Sequence, residues 1–309
     1  MIKIADLHCD SITRAYDGGF TLDDARLHLS PAHIPPGCHW LQVMAIYVPD
    51  ALRGTAAVAY FDHAYSFYQE YLQTNPDKIA VLENLRDADN AMQANKFTGI
   101  LSVEGGAVLQ GDADNVDMLY DKGVRLLTLT WNSANELCGG VLSGGGFTPA
   151  GRAVVQRMEK RGMIVDVSHL SDEGFFELCD FAEKPFIASH SNARAVCPHP
   201  RNVTDDMFRE IISRGGLVGL NFYEHFIKEG GTAHPDDMLR HIHHLLELGG
   251  EDTLALGSDF DGADIPDYIS GAEKVPYFED VMLRSGISQF AVTKIMSANA
   301  LRFFAKIGR

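Results

Sequence analysis

Eight apolar, β-rich segments separated mainly by helix-patterned stretches predict an α/β fold, a (β/α)8 TIM-type barrel with extra C-terminal helices. Two further observations point the same way. A length of 309 residues suits one barrel domain spanning 1–309. Histidines and carboxylates also recur at the C-terminal ends of the segments, where barrels carry their chemistry. With 46% hydrophobic and 22% charged residues, the composition is that of a globular chain with a large core. A net charge of −16 argues against nucleic acid, which needs clustered Lys and Arg. No apolar run is long enough to predict a membrane span. The start, MIKIADLHCD, lacks an apolar leader, and the five cysteines are odd in number, scattered and free of any CxxC pair. Free thiols and a cytoplasmic location are expected.

The first strand runs from Ile2 to Leu7 and ends in DLHCD. His8 and Asp10 are two apart, so in extended chain they share a face opposite Cys9, which reads as a packed core thiol. Residues 11–39, with Gly18, Gly19, Pro31, Pro35, Pro36 and Gly37, read as a long loop over the barrel. Trp40 to Val48 is the second strand. A helix from Thr55 to Gln73 follows, with Phe61, Tyr65, Tyr68 and Leu72 as a packing stripe. Phe97 to Val103 is the third strand, leading into Glu104, whose following Gly105 and Gly106 permit a sharp turn. Val124 to Thr130 is the fourth, running into Trp131, Asn132 and Asn135. Thr148 and Pro149 then provide the cap and first position of a helix, after the flexible GGVLSGGGFTPAG stretch.

The centre of the chain is a βαβ unit. Met163 to Ser168 closes on His169, and Ser171 with Asp172 caps a helix carrying Phe175, Phe176, Leu178 and Phe181. Pro185 to Ser189 then closes on His190. Neighbouring parallel strands lie roughly 5 Å apart, so His169 and His190 can face one point, as a shared metal or catalytic site requires. Thr204 caps a further helix with Met207, Phe208, Ile211 and Ile212 inward, ended by Gly215 and Gly216. Leu217 to Asn221 is the seventh strand, followed by Tyr223. On the helix from Pro235 to Leu248, the HIHH run His241–His244 reads as a solvated face. Thr253 to Ser258 is the eighth strand, ending GSDFDG with Asp259 and Asp261; Asp261 reads as a loop or supporting residue. The remainder, Tyr277 to Ile307, is helical.

His8, Asp10, Glu104, His169, His190 and Asp259 thus converge on one rim. Imidazole and carboxylate donors together suit zinc or a similar divalent ion. Two such ions sharing a carboxylate would make a trapped water a hydroxide nucleophile, and Asp259 could take its proton and pass it to a leaving amine.

The ordered set DLHCD, SVEGG, DVSH, SHSNARAV, PRNVTDD and GSDFDG resembles the membrane (renal) dipeptidase family of zinc peptidases, within the amidohydrolase superfamily. The resemblance spans nearly the whole chain and is to a cytosolic microbial member. It implies two Zn2+ per chain, with His8 and Asp10 on one, His169 and His190 on the other, and Glu104 bridging both. It implies further that Asp259 handles the proton of the bridging hydroxide. Arg201 and Tyr223 would grip the C-terminal carboxylate of a small dipeptide, with a D-residue accepted there. Many members carry a histidine after the fourth-strand LT; LTLTWNSAN puts Trp131 there, leaving the carbonyl to a metal ion with Asn132 or Asn135 assisting. The competing readings are a related barrel acting on another amide, a cyclic amide or a phosphoester, and a non-catalytic metal-binding protein. Relatives of the first kind more often begin HxH and bridge with a carboxylated lysine; the second would be expected to lose Asp259. A homodimer is compatible with the sequence and not specified by it.

Overall fold

The computed structural model describes residues 2–92 and 97–308. Among them are nine strands: β1 (Ile2–Cys9), β2 (Cys38–Tyr47), β3 (Ile79–Val81), β4 (Phe97–Glu104), β5 (Val124–Thr128), β6 (Ile164–Asp166), β7 (Ile187–Ala188), β8 (Leu217–Leu220) and β9 (Leu254–Leu256). The sheet order β2-β1-β9-β8-β7-β6-β5-β4 is closed by pairing of β2 with β4, which makes an eight-stranded parallel barrel surrounded by helices.

The sequence reading missed β3. β5 begins late, with Val124 opposite Leu101, and β3 pairs the lower part of β4, from Phe97 to Gly99. A short third partner thereby covers backbone groups that β5 leaves unpaired.

Several barrel strands are shorter than their apolar patterns suggest, and two buried aspartates supply a reason. Asp166 Oδ1 accepts the backbone N–H groups of Ser168 (3.0 Å) and Ser189 (2.9 Å) just beyond β6 and β7. Asp6 Oδ1 accepts those of His8 (3.2 Å) and Ser258 (2.9 Å) in the same way between β1 and β9. Side-chain acceptors replace ladder bonds at the mouth, so the chain can leave strand geometry while its buried N–H groups stay satisfied.

Strand residues divide between two buried apolar clusters with the period of two that a strand imposes. Leu41, Val43, Ile100, Leu126, Ile164 and Leu217 join Phe303 and Phe304 of the C-terminal helix Asn299–Ile307. Their neighbours Trp40, Met44, Leu101, Val103 and Leu127 pack with helix residues such as Phe61, Tyr68, Met158 and Phe208.

Three helix caps match the sequence reading: Thr148, Ser171 and Thr204 each accept the N–H of the residue three along. Two expectations are corrected. Residues 11–39 are not all loop, because Ser11–Gly18 is a helix ended by Gly19 at φ 65°. The HIHH run is not a uniformly solvated face. His241 is buried, its Nδ1 accepting from Ala193 N–H and its Nε2 donating to the carbonyl of Ile227. Burial lowers its pKa to about 4, so it is a neutral structural imidazole. Phe176, on the helix Asp172–Phe181, is exposed. No helix among the described residues is long and apolar enough to cross a membrane, and all five cysteines are free.

Candidate metal centre and substrate cavity

At the C-terminal mouth of the barrel the six residues expected there do meet. His8 Nε2 lies 3.2 Å from Asp10 Oδ2, 3.8 Å from Glu104 Oε2 and 3.9 Å from Asp259 Oδ1. The other Glu104 oxygen, Oε1, lies 2.9 Å from His169 Nε2 and 3.5 Å from His190 Nε2. The two histidine Nε2 atoms are 3.0 Å apart. His8 and His190 stack with ring centroids 4.0 Å apart. Two triads have ligand atoms close enough for one ion, His8–Glu104–His190 and His8–Asp10–Asp259.

Local backbone makes this convergence possible. His169 and Asp259 adopt positive φ, 68° and 63°, in the left-handed region that non-glycine residues avoid. Strain at two residues of one cluster is the usual mark of a site whose surroundings enforce its geometry. Gly105 turns the chain at φ 102° directly after Glu104. At Gly262 a Cβ would sit 2.1 Å from Asp10 Oδ2, which explains the last glycine of GSDFDG.

Hydrogen bonds outside the cluster orient its members. His169 Nδ1 faces Asn132 Oδ1 at 2.9 Å, and His190 Nδ1 faces Ser189 Oγ at 2.7 Å. Asn221 Nδ2 donates to Asp259 Oδ2 at 2.9 Å, leaving Oδ1 toward the cluster. These supporting roles of Asn132, Ser189 and Asn221 were not apparent from sequence; the serine did stand inside SHSN, next to the histidine it holds. Asn135 proves to be a loop residue, donating to the Leu129 carbonyl and accepting from Leu137 and Cys138 N–H. Asn135 does not line the cavity, whereas Asn132 does; with its oxygen toward His169, the Asn132 NH2 is the group that could meet a substrate carbonyl. Asp261 takes Ser11 Oγ at 2.5 Å and the backbone N–H of His28 at 2.7 Å, tying the segment after β1 to the mouth.

The electrostatics favour a cation. Burial pushes the Glu104 carboxyl well above its usual range, with Asp10 and Asp259 adding to the effect. Burial also raises Asp259. His169 and His190 are driven well below the usual imidazole value by burial, Arg201 and His8, and so present neutral rings. Burial alone would lower His8 too, but Asp10, Glu104 and Asp259 carry it up to about 10. The carboxylates that hold a proton on His8 would equally hold a metal ion in its place. Asp10 Oδ1 is buried with no hydrogen-bond partner. Orphaned carboxylate oxygen, neutral imidazoles and a shared Glu form a donor set that fits zinc-like ions.

The cluster floors a cavity of about 760 Å³, also lined by His28, Tyr47, Trp131, Leu142, Arg201 and Tyr223. Trp131 packs against Tyr47 at 5.1 Å and against His169 at 5.8 Å, forming an aromatic wall beside the cluster. Arg201 is buried, donates through Nη2 to the His190 carbonyl at 3.2 Å, and keeps Nε without a partner. Burial pulls its guanidinium down to about 10, while Asp259, Glu104 and Asp166 favour the charge, so it stays a cation at neutral pH.

A family model described as membrane dipeptidase (peptidase family M19) matches residues 1–309. Dipeptidase tcpJ of Claviceps purpurea is 30% identical over 247 residues, 77% of this chain; the chain spans 58% of that relative's length. An uncharacterised Klebsiella pneumoniae protein from the pqqA 5' region is 33% identical over 233 residues, 72% of this chain and 86% of the relative. Among solved structures, the metallopeptidase of Rhodobacter sphaeroides bound to a phosphinate mimic of the dipeptide L-Ala-D-Ala superposes with TM-score 0.93 at 25% identity, over 98% of each chain. Dipeptidase AC, a metallopeptidase of family M19, gives TM-score 0.93 at 26% identity over the same share. With the family pattern running its whole length over a barrel of matching shape, this chain belongs to the membrane dipeptidase family, peptidase family M19.

Proposed function

We propose that the chain is a zinc metallopeptidase that hydrolyses dipeptides bearing a free C-terminal carboxylate and accepts a D-residue at the C-terminal position. One observation carries the reading: Glu104 turns one oxygen to His8 and the other to His169 and His190, so one carboxylate can serve two cations. His8 and Asp10 would hold the first zinc, His169 and His190 the second, and Glu104 both. Two zinc ions so held would supply a shared water ionised to hydroxide near neutral pH and a Lewis acid for the scissile carbonyl.

The remaining work falls to this chain's side chains. Asp259, steadied through Oδ2 by Asn221, keeps Oδ1 toward the cluster to accept the nucleophile's proton and return it to the leaving amine. Arg201, with an unpartnered Nε at the cavity wall, takes the substrate carboxylate together with Tyr223. A carboxylate held at a fixed distance from the cluster measures substrate length, which selects dipeptides. Trp131 and Tyr47 form an aromatic wall that would keep water from the cluster beside His169. The Rhodobacter relative's L-Ala-D-Ala mimic supports the D-residue tolerance. Free cysteines support a reducing, cytoplasmic setting.

The test compares L-Ala-D-Ala with its C-terminal amide. Wild type should cleave the acid and leave the amide, and Arg201→Ala should lower kcat/KM for the acid by about 2–4 kcal/mol of transition-state binding. Equal hydrolysis of acid and amide by wild type would remove the carboxylate clamp and the dipeptidase assignment with it.

A further inference from the structure

We infer that Asp166 is a positioning residue for His190, acting through the Ser189 hydroxyl to keep the His190 Nε2 lone pair free for a cation. This rests on the metallopeptidase reading above. Asp166 is fully buried and its carboxylate accepts four hydrogen bonds. Oδ1 takes the N–H groups of Ser168 and Ser189, at 3.0 and 2.9 Å. Oδ2 takes the hydroxyls of Thr128 and Ser189, at 2.7 and 2.6 Å.

Ser189 Oγ also lies 2.7 Å from His190 Nδ1. A hydroxyl has one proton to give. Ser189 gives it to Asp166, an anionic acceptor at 2.6 Å that has no proton of its own to offer, in preference to the neutral imidazole or to Ser168 Oγ at 3.4 Å. Its oxygen can therefore only accept from His190, which puts the ring proton on Nδ1. Nε2 is left with its lone pair, facing Glu104 Oε1 and His169 Nε2.

The other two cluster histidines lack an anionic acceptor behind them, although Asn132 fixes the His169 tautomer. His169 Nδ1 faces the neutral amide oxygen of Asn132, and His8 Nδ1 is buried without a partner. An anionic acceptor at the far end of a hydrogen-bonded chain raises the basicity of the ligating nitrogen as well as fixing its direction.

The carboxylate matters because it has no proton to give. In Asp166→Asn the amide oxygen must stay where two backbone N–H groups point, so the NH2 takes the Oδ2 position. It then donates to Ser189 Oγ, and the freed serine proton turns to His190 Nδ1. The ring proton moves to Nε2, where the metal should be. Ser189→Ala merely deletes the link. Thr128→Val removes a bond to the same Asp166 oxygen but leaves the link to His190 intact.

Metal-stripped full-length protein is titrated with zinc against a chromogenic chelator, alongside thermal melts without metal. Asp166→Asn and Ser189→Ala should weaken zinc binding about 10–100-fold, with Asp166→Asn the worse. Thr128→Val should lower the melting temperature yet bind zinc as wild type does. Unchanged zinc affinity in Asp166→Asn and Ser189→Ala overturns the positioning role and leaves the metal site standing. Equal losses in all three variants also overturn it, as a general stability effect. Should Asp166→Asn not fold, Ser189→Ala against Thr128→Val decides. Failure of wild type to take up zinc would remove the metal reading itself, and this inference with it.

Discussion

Asp259 and Asp261 stand two residues apart, both at positive φ, yet their carboxylates have different surroundings. Asp259 keeps one oxygen toward His8, whereas both Asp261 oxygens are occupied by Ser11 and by the backbone of His28 and Leu29. Asp259→Asn should therefore retain the fold and most bound metal while kcat falls at least about a hundredfold. Asp261→Asn should instead loosen the segment after β1, lowering stability with a much smaller change in kcat. Steady-state kinetics with elemental analysis of both variants would reverse the assignment if the larger kcat loss fell on Asp261.

At the scale of an element, the helix Asp172–Phe181 hangs on a single side chain. Ser171 Oγ accepts from Gly174 N–H at 2.9 Å and donates to the Gly145 carbonyl at 2.6 Å. It caps the helix and pins the glycine-rich loop that brings Leu142 to the cavity. Ser171→Ala should cost about 1 kcal/mol, the usual loss for such a cap, read as a shift in urea midpoint. KM should rise more than kcat falls, because the loop borders the cavity and not the reacting groups. An unchanged midpoint would mean that the loop is held elsewhere. By contrast, the helix Ser11–Gly18, whose buried face is Ser11, Ile12, Thr13 and Ala15, escaped the sequence reading. Its amphipathic pattern lasts only two turns and runs straight into a Gly- and Pro-rich stretch, so the turn residues that follow masked it.

Across the whole molecule, the barrel mouth concentrates Asp10, Glu104 and Asp259 around His8, with Arg201 as a further buried cation at the cavity wall. Bound zinc should reach about two ions per chain and, at a hundredfold excess over Kd, add about 2.7 kcal/mol per site to stability. The increment should be larger near neutral pH than in mild acid. Burial raises Glu104 above its ordinary 4.5, so without metal its contribution is fully present below that value and lost as pH rises through the folded pKa. Zinc makes good that deficit at neutrality, while protons compete for its ligands in acid. Melting curves with and without chelator at the two pH values check this; a zinc-induced rise that grew on acidification would contradict it.

The sequence by itself determined the eight barrel strands, three helix caps and the rim residues, because each of these is written locally. A strand's period, a cap hydroxyl and a carboxylate or imidazole placed just after an apolar run all lie within a few residues of one another. What only tertiary structure decided is non-local. β3 exists because β5 starts late along β4. His241 is neutral because Ala193 and Ile227 fold over it. Asn135 is consumed by its own loop, and Trp131 gains its wall from Tyr47 on another strand. Asp166 was visible inside DVSH, but its hydrogen bonds to Thr128 and Ser189 form only because barrel closure brings those residues within reach. Local pattern can announce an imidazole or carboxylate at the rim; partners such as Asn132 for His169 and Asn221 for Asp259 come from distant parts of the chain.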